Sequence, residues 1–255
     1  VDEQRKLLNK GEIKSEENGM EQANLRKKFL LLQINDALFP IGGYSHSYGL
    51  ETYIQKDLVR DGKTAKSYIE HKLKYGFLYT ELLPVRLAFE YASENDIKKL
   101  VELEEMTQAS KLPREIRLAS NKLASRFIKT ISKLDIPYES DIFSSYLENI
   151  KKTQEGLSNY AIVYGIFCAA VGISKKEAME HFLYAQTSAM VTNCVKSIPL
   201  SQTEGQKLLV ASCELFSEIL ETVECLDESM LYLSNPGFDI RSMQHEFLYS
   251  RIYMS

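Results

Sequence analysis

The chain has 255 residues, a net charge of −4, and 44% apolar and 26% charged residues. That apolar content is enough to offset chain entropy, which excludes wholesale disorder. The acidic balance argues against nucleic acid as the main partner, because phosphate binding needs a basic face.

Residues 1–27 are rich in Glu, Lys, Asn and Gln and show no sustained apolar stripe. They read as a mobile polar tail. From Phe29 the chain turns densely apolar through Leu30, Leu31, Leu32, Ile34, Leu38 and Phe39. Residues 28–255 then read as one all-α domain of roughly eight to ten helices. The spacing predicts a helix over 64–91 that Gly76 weakens and Pro84 kinks or divides. A short helix follows at 96–109, and another opens near Pro113 and carries Ile116, Leu123, Phe127 and Ile131. Ser174 with Glu177 and Ser201 with Glu204 have capping-box spacing, predicting helices over 174–197 and 202–225. Asn235-Pro236-Gly237 reads as a turn, with a last short helix over 239–249.

No apolar stretch approaches the roughly 18 residues of a spanning helix. The longest, Ala161 to Ile173, carries Tyr164, Gly165 and Gly172. No membrane association is therefore expected. The four cysteines have no CxxC spacing and the N-terminus lacks an apolar leader, so free thiols in a cytoplasmic setting are expected. Cys168, Cys194 and Cys213 read as small core hydrophobes. The Lys pairs and the neighbouring acids Glu104-Glu105 and Asp227-Glu228 read as solvated faces.

Signatures of catalysis are missing. There is no GxGxxG, P-loop, HExxH or GxSxG pattern, and no nucleophile–base–orienter set is visible. The expectation is a protein that is not an enzyme, with no catalytic residues. Two segments do not read as plain helix. The first, Asp36 to Glu51, breaks an apolar run with Pro40, Gly42 and Gly43, then gathers Ser45, His46, Ser47, Tyr48 and Gly49; Ser45 is a candidate N-cap. The second, Met243 to Ser255, ends the chain on aromatic and aliphatic residues around Arg251. Tyr and Arg suit surfaces that are dry in one state and wet in another. This end either docks on the chain's own core or orders against a partner.

At these segments the chain resembles the urease accessory protein UreF family. The family motif D-S-x-F-P-x-G-G-F-x-x-S-x-G-L-E is met by Asp36, Phe39, Pro40, Gly42, Gly43, Ser47, Gly49, Leu50 and Glu51, with Ala37 and Tyr44 as departures. Asn193 to Gln206 is similar to a second motif, with Pro199, Leu200, Gln202 and Gln206 in place, Lys196 for Arg and Ser201 for Gly. Arg117, Ser120, Arg126 and Phe127 match a third. Gln244, His245, Glu246, Tyr249, Ser250 and Arg251 match the family's ending, and the long polar N-terminus with the Tyr-Met-Ser end is closest to the Helicobacter-type branch.

The resemblance implies an all-α homodimeric scaffold that binds UreD (UreH in the Helicobacter-type systems). The pair recruits the GTPase UreG and docks on apo-urease, so that nickel reaches the urease active site. It implies no cofactor of the chain's own, nickel being handled by the complex. Tyr249, Ser250, Arg251, Tyr253, His245 and Glu246 are the expected partner-binding residues, within a segment 243–255 that is mobile until the partner binds. The early motif, with His46 and Tyr48, and the Pro199–Gln206 corner are expected to shape the scaffold. Two rival roles remain open. One is a nickel carrier using His46 or His245, with Asp36 and Glu246 as further donors. The other is a regulator of UreG that offers Arg117, Arg126 or Arg251 in trans.

Overall fold

A computed structural model describes residues 19–153, 157–233 and 236–255. Among the described residues every regular element is helical. The expected tail divides at this boundary. Residues 1–18 lie outside the described residues, whereas 19–27 are the first turns of helix α1, which runs over 19–34. Leu31 and Ile34 bury one edge of α1, while Phe29 and Leu32 stay exposed. The dense apolar run is therefore an amphipathic helix entering the core at its far end.

After a short 3-10 turn at Gly43–Ser45, α2 spans Leu50–Gln55 and α3 spans Gly62–Lys72. Asp61 and Thr64 close a reciprocal capping box on α3. The chain then continues without a break as a π-helix, Leu73–Leu82, into α4, Leu83–Ser93. Pro84 sits in the first turn of α4; having no N–H, it gives no bond back into the π-helix, and the Tyr79 carbonyl accepts from the Tyr232 amide instead. The expected division of the 64–91 helix thus appears as a change of helix type rather than a kink.

Next come α5 (Ile97–Ser110), α6 (Arg114–Ile131), α7 (Ile142–Thr153) and α8 (Tyr160–Ala170). The last two were not foreseen. α8 is the centre of the molecule: all of it but Ala169 is buried. It packs on α4, α6, α7 and α9. Gly165 lets α4 and α8 approach so closely that a Cβ there would lie 2.5 Å from the Val85 carbonyl oxygen. The Tyr164 hydroxyl accepts from Asn35 and donates to the Ala178 carbonyl, tying α1 to the start of α9.

α9 spans Lys175–Ser197 under the Ser174 cap, and α10 spans Gln202–Cys213 under a complete Ser201–Glu204 capping box. The single helix expected over 202–225 is two. α11 starts afresh at Phe216 and runs to Cys225, after a turn at Glu214–Leu215. α12 runs Pro236–His245, with Pro236 opening the helix; Asn235, the first residue of the expected turn, lies outside the described residues.

The cysteine reading holds for Cys168 and Cys194, which are buried free thiols; burial pushes the Cys194 thiol up to about 12. Cys213 is half-buried. The reading of Glu104 fails. It is fully buried, not solvated, while Glu105 is exposed. Gln108, the Tyr146 hydroxyl and the Asn159 amide all donate to the Glu104 carboxylate. It thereby ties α5 to α7 and to the start of α8, and burial raises its pKa. Three donors on one carboxylate account for its tolerance in the core.

Candidate functional site

The two segments that resisted a helical reading are each other's partners. Gly42 and Gly49 adopt left-handed φ values of 81° and 86°, which an L side chain adopts only with strain. A Cβ on Gly42 would run into the Arg126 guanidinium, and one on Gly49 would lie 2.6 Å from Ser242 Oγ. The loop between them is thus pressed against α6 on one side and α12 on the other. Tyr48 also has positive φ, 52°, without being glycine. Ser45 does not cap a helix: its hydroxyl donates to the Gly42 carbonyl, and α2 begins after Gly49 with no side-chain cap.

This loop holds the chain end. The Ser47 amide, the Tyr48 amide and the Ser47 hydroxyl all donate to the Ser255 carbonyl oxygen, at 2.5, 3.1 and 2.8 Å. The Met254 amide donates to the Ser45 carbonyl, and His46 Nδ1 lies 2.8 Å from Ser255 Oγ. The Asn193 side chain of α9 donates to the His46 carbonyl. Burial, then the positive charges of Lys122 and Arg126, lower the His46 pKa to about 4. Its ring is therefore neutral at physiological pH.

Glu51, in the first turn of α2, is the hub. Its carboxylate accepts from the amides of Ile252 (2.7 Å) and Tyr253 (3.2 Å). It also lies 3.1 Å from His245 Nε2, while His245 Nδ1 lies 2.6 Å from Glu115 on α6. The other Glu115 oxygen accepts from Arg251 at 2.7 Å. Gln55 donates to the Ser250 carbonyl. One face of the segment is thus fixed to α2, α6 and the motif loop, and Ser197 of α9 reaches the Tyr253 hydroxyl at 3.4 Å.

The outer face is free. Residues 252–255 alternate: Tyr253 and Ser255 are buried, while Ile252 and Met254 are 75% and 57% exposed. This is the two-residue period of extended chain. Phe247 and Tyr249, just before, project almost completely into solvent. The segment expected to order only on a partner therefore lies docked on its own chain.

The expected partner residues sort accordingly. Tyr249 and Ser250 are exposed and Glu246 is half-buried. Tyr253, His245 and Arg251 are anchors facing the protein. Phe247, Ile252 and Met254 extend the outer face beyond the residues singled out from the sequence. The arginines offered as trans donors have intramolecular partners: Arg117 donates to the Lys111 carbonyl, Arg126 to the Ile41 carbonyl and Arg251 to Glu115. Arg126 thereby holds the motif loop.

Asp36 receives the Leu38 amide in a tight turn, and Phe39 beyond it packs its ring on Phe127, 5.9 Å between centroids. Pro40 is exposed. The Pro199–Gln206 corner does not join the clasp. Pro199, Gln202 and Gln206 are exposed there, and Leu200 packs against Gly62. Glu115, Asn193 and Ser255 were missed in the sequence, because no local spacing links them to partners 130 to 209 positions away. Among the described residues no group of three or more His, Cys, Asp or Glu side chains is arranged to hold a metal ion. No helix among them is long and apolar enough to cross a membrane.

Comparison with known proteins places the chain in a family. Residues 59–213 match the UreF family model. The chain is 35% identical over 225 residues to the urease accessory protein UreF of Bacillus sp. strain TB-90, covering 88% of this chain and 97% of that one. It is 36% identical over 230 residues to the protein of the same name from Haemophilus influenzae Rd, covering 88% and 94%. The figure is 34% over 225 residues for that of Actinobacillus pleuropneumoniae serotype 5b, covering 88% and 97%. With identity at this level over nearly the full length of each relative, the chain belongs to the UreF family of urease accessory proteins.

Proposed function

We propose that the protein is a non-catalytic scaffold of urease maturation that works in the cytoplasm as a homodimer. It binds UreD (UreH), and the pair recruits the GTPase UreG and docks on apo-urease. Nickel passes as cargo of that assembly, without a resident cofactor in this chain. Family membership supports the role in maturation. The observation that carries the partner reading is the two-faced chain end. Its inner edge is fixed by Glu51, Glu115 and Ser47, while Phe247, Tyr249, Ile252 and Met254 face outward. An apolar ridge held in one conformation by internal hydrogen bonds meets a partner with little further loss of entropy. Tyr and Met on such a ridge suit a surface that is wet alone and dry in a complex.

Light scattering after gel filtration tests this, with the protein alone and with its UreD-type partner. The expected result is a dimer alone and a two-plus-two complex that takes up the GTPase. Tyr249→Ala is expected to leave the thermal midpoint within a degree or so and to weaken partner binding at least about tenfold, the usual effect of removing a central aromatic anchor. A monomer that ignores the partner, or a Tyr249→Ala protein that binds undiminished, overturns the reading.

A further inference from the structure

His245, the last residue of α12, is completely buried, and α12 packs on α2 and α6. Each of its ring nitrogens faces a carboxylate: Nε2 lies 3.1 Å from Glu51 and Nδ1 lies 2.6 Å from Glu115. A neutral imidazole has one donor and one acceptor, whereas an ionised carboxylate only accepts. With a single proton on the ring, one of the two contacts sets lone pair against lone pair, where little water screens them. Both contacts are hydrogen bonds only when the trio holds one proton more. That state is an imidazolium between two carboxylates, or a neutral ring with one protonated glutamate.

The surrounding charges favour the added proton. Two carboxylates and a neutral ring carry two negative charges, and Arg251, 2.7 Å from the other Glu115 oxygen, offsets one of them. The added proton offsets the second and leaves the cluster neutral. The other charged groups nearby do not take its place. His46, on the motif loop, is held neutral by burial and by Lys122 and Arg126, and Arg126 itself donates to the Ile41 carbonyl. On α12, Asp239 feels Lys72 and Arg241 donates to Gln244, while Glu246, the next residue, is another acid. The same two carboxylates also grip the chain end. Glu51 accepts from the Ile252 and Tyr253 amides, and Glu115 accepts from Arg251. A carboxylate that swings away from a bare ring nitrogen therefore swings away from these donors.

We propose that His245, Glu51 and Glu115 form a proton-binding site that locks the chain end onto the bundle. Closing takes up one proton from solvent and opening returns it. In water a histidine holds its proton only below about pH 6.5 and a glutamate only below about pH 4.3, so above neutrality the opened trio keeps no added proton. Docking is thereby linked to proton uptake, and the docked population falls as the pH rises. This is the opposite sign to His46, whose neutral ring favours the folded chain at higher pH. The site acts on the inner face of the segment and does not depend on the scaffold reading.

The test is hydrogen exchange of the Ile252 and Tyr253 amides, followed by NMR on the full chain between pH 7 and pH 9. Their protection reads the docked population. Each rate is compared with that of an unstructured peptide of the same sequence at the same pH, which removes the base catalysis of exchange. Amides of α8 serve as the internal reference. One linked proton changes a population by at most about tenfold per pH unit, and a fall in protection of at least about tenfold over the range is expected. His46 stays neutral throughout this range and does not contribute. Glu115→Gln supplies the control. Its amide donates to Nδ1 and its oxygen still accepts from Arg251, so a ring with one proton satisfies both neighbours. The chain end of this variant is expected to stay docked, with protection changing less than about twofold over the range. Circular dichroism checks that the variant folds, and the profile of the unaltered protein decides independently of it. Protection that does not fall with pH in the unaltered protein, or a Glu115→Gln slope equal to that of the unaltered protein, overturns the proposal.

Discussion

Glu51 shows how one side chain joins segments 201 residues apart: its carboxylate caps the amides of Ile252 and Tyr253 and meets His245 from the other side. Hydrogen bonds to a charged acceptor are worth roughly 1.5–3 kcal/mol each when buried, so this residue outweighs the exposed pairs on the helix surfaces. His46 works by the opposite logic, being buried and neutral. Its pKa is about 4 in the folded protein against an ordinary value of 6.5. Between those values the unfolded chain binds a proton that the folded one refuses, so stability rises with pH there. The His46 contribution is complete above about pH 6.5 and is lost as the pH falls towards 4. Lys122 and Arg126 oppose its protonation and Glu115 favours it. His46→Asn keeps a polar atom near Ser255 but removes the titration. Denaturant midpoints for this variant should change less between pH 6.5 and 4 than those of the unaltered protein. Equal slopes in the two proteins would show that other groups carry the dependence.

At the scale of elements, stability rests on how closely α8 lies against α4. Gly165→Ala places a methyl 2.5 Å from the Val85 carbonyl oxygen and against Ala88 and Phe89, none of them the free end of a flexible side chain. The helices must shift apart, at a cost of about 1–3 kcal/mol. For a protein of this size that lowers Tm by about 2–4 °C per kcal/mol. A thermal melt with no decrease would show that the bundle relaxes freely. The same helix explains what the sequence did and did not disclose. Helices with one wet face and a capping serine, such as α9 and α10, were legible from stripe and cap. α8 has no wet face, so its periodicity vanishes and it reads only as an apolar run. The turn at Glu214–Leu215 contains neither Pro nor Gly, so two helices read as one. Glu104 looked solvated because its neighbour Glu105 is, and its three donors come from residues 4 to 55 positions away. The motif loop and the chain end each stood out locally through their Gly and aromatic content. Their pairing did not, because contacts across some 200 residues leave no spacing to read.

Across the whole molecule, the chain end is an addition to a core that does not need it. Of residues 246–255 only Tyr253 and Ser255 are buried, whereas the aromatic centre around Phe127, Tyr164, Phe167 and Phe182 lies wholly in α6, α8 and α9. Ending the chain after His245 removes the acceptors of the Ser47 and Tyr48 amides and the donors to Glu51, all of which water can replace once the segment is gone. The bundle should still unfold cooperatively, with its helical circular dichroism little changed and Tm lower by a few degrees. Partner binding should be lost, where Tyr249→Ala weakens it, and for a different reason. In Tyr249→Ala the segment stays docked and only the outer ring is missing, since Tyr249 is fully exposed and anchors nothing. A shortened chain that still forms the complex would place the partner face elsewhere on the bundle. One that unfolds outright would make the clasp part of the core. Retained folding with lost binding is the outcome that a ridge held out from a self-sufficient bundle requires.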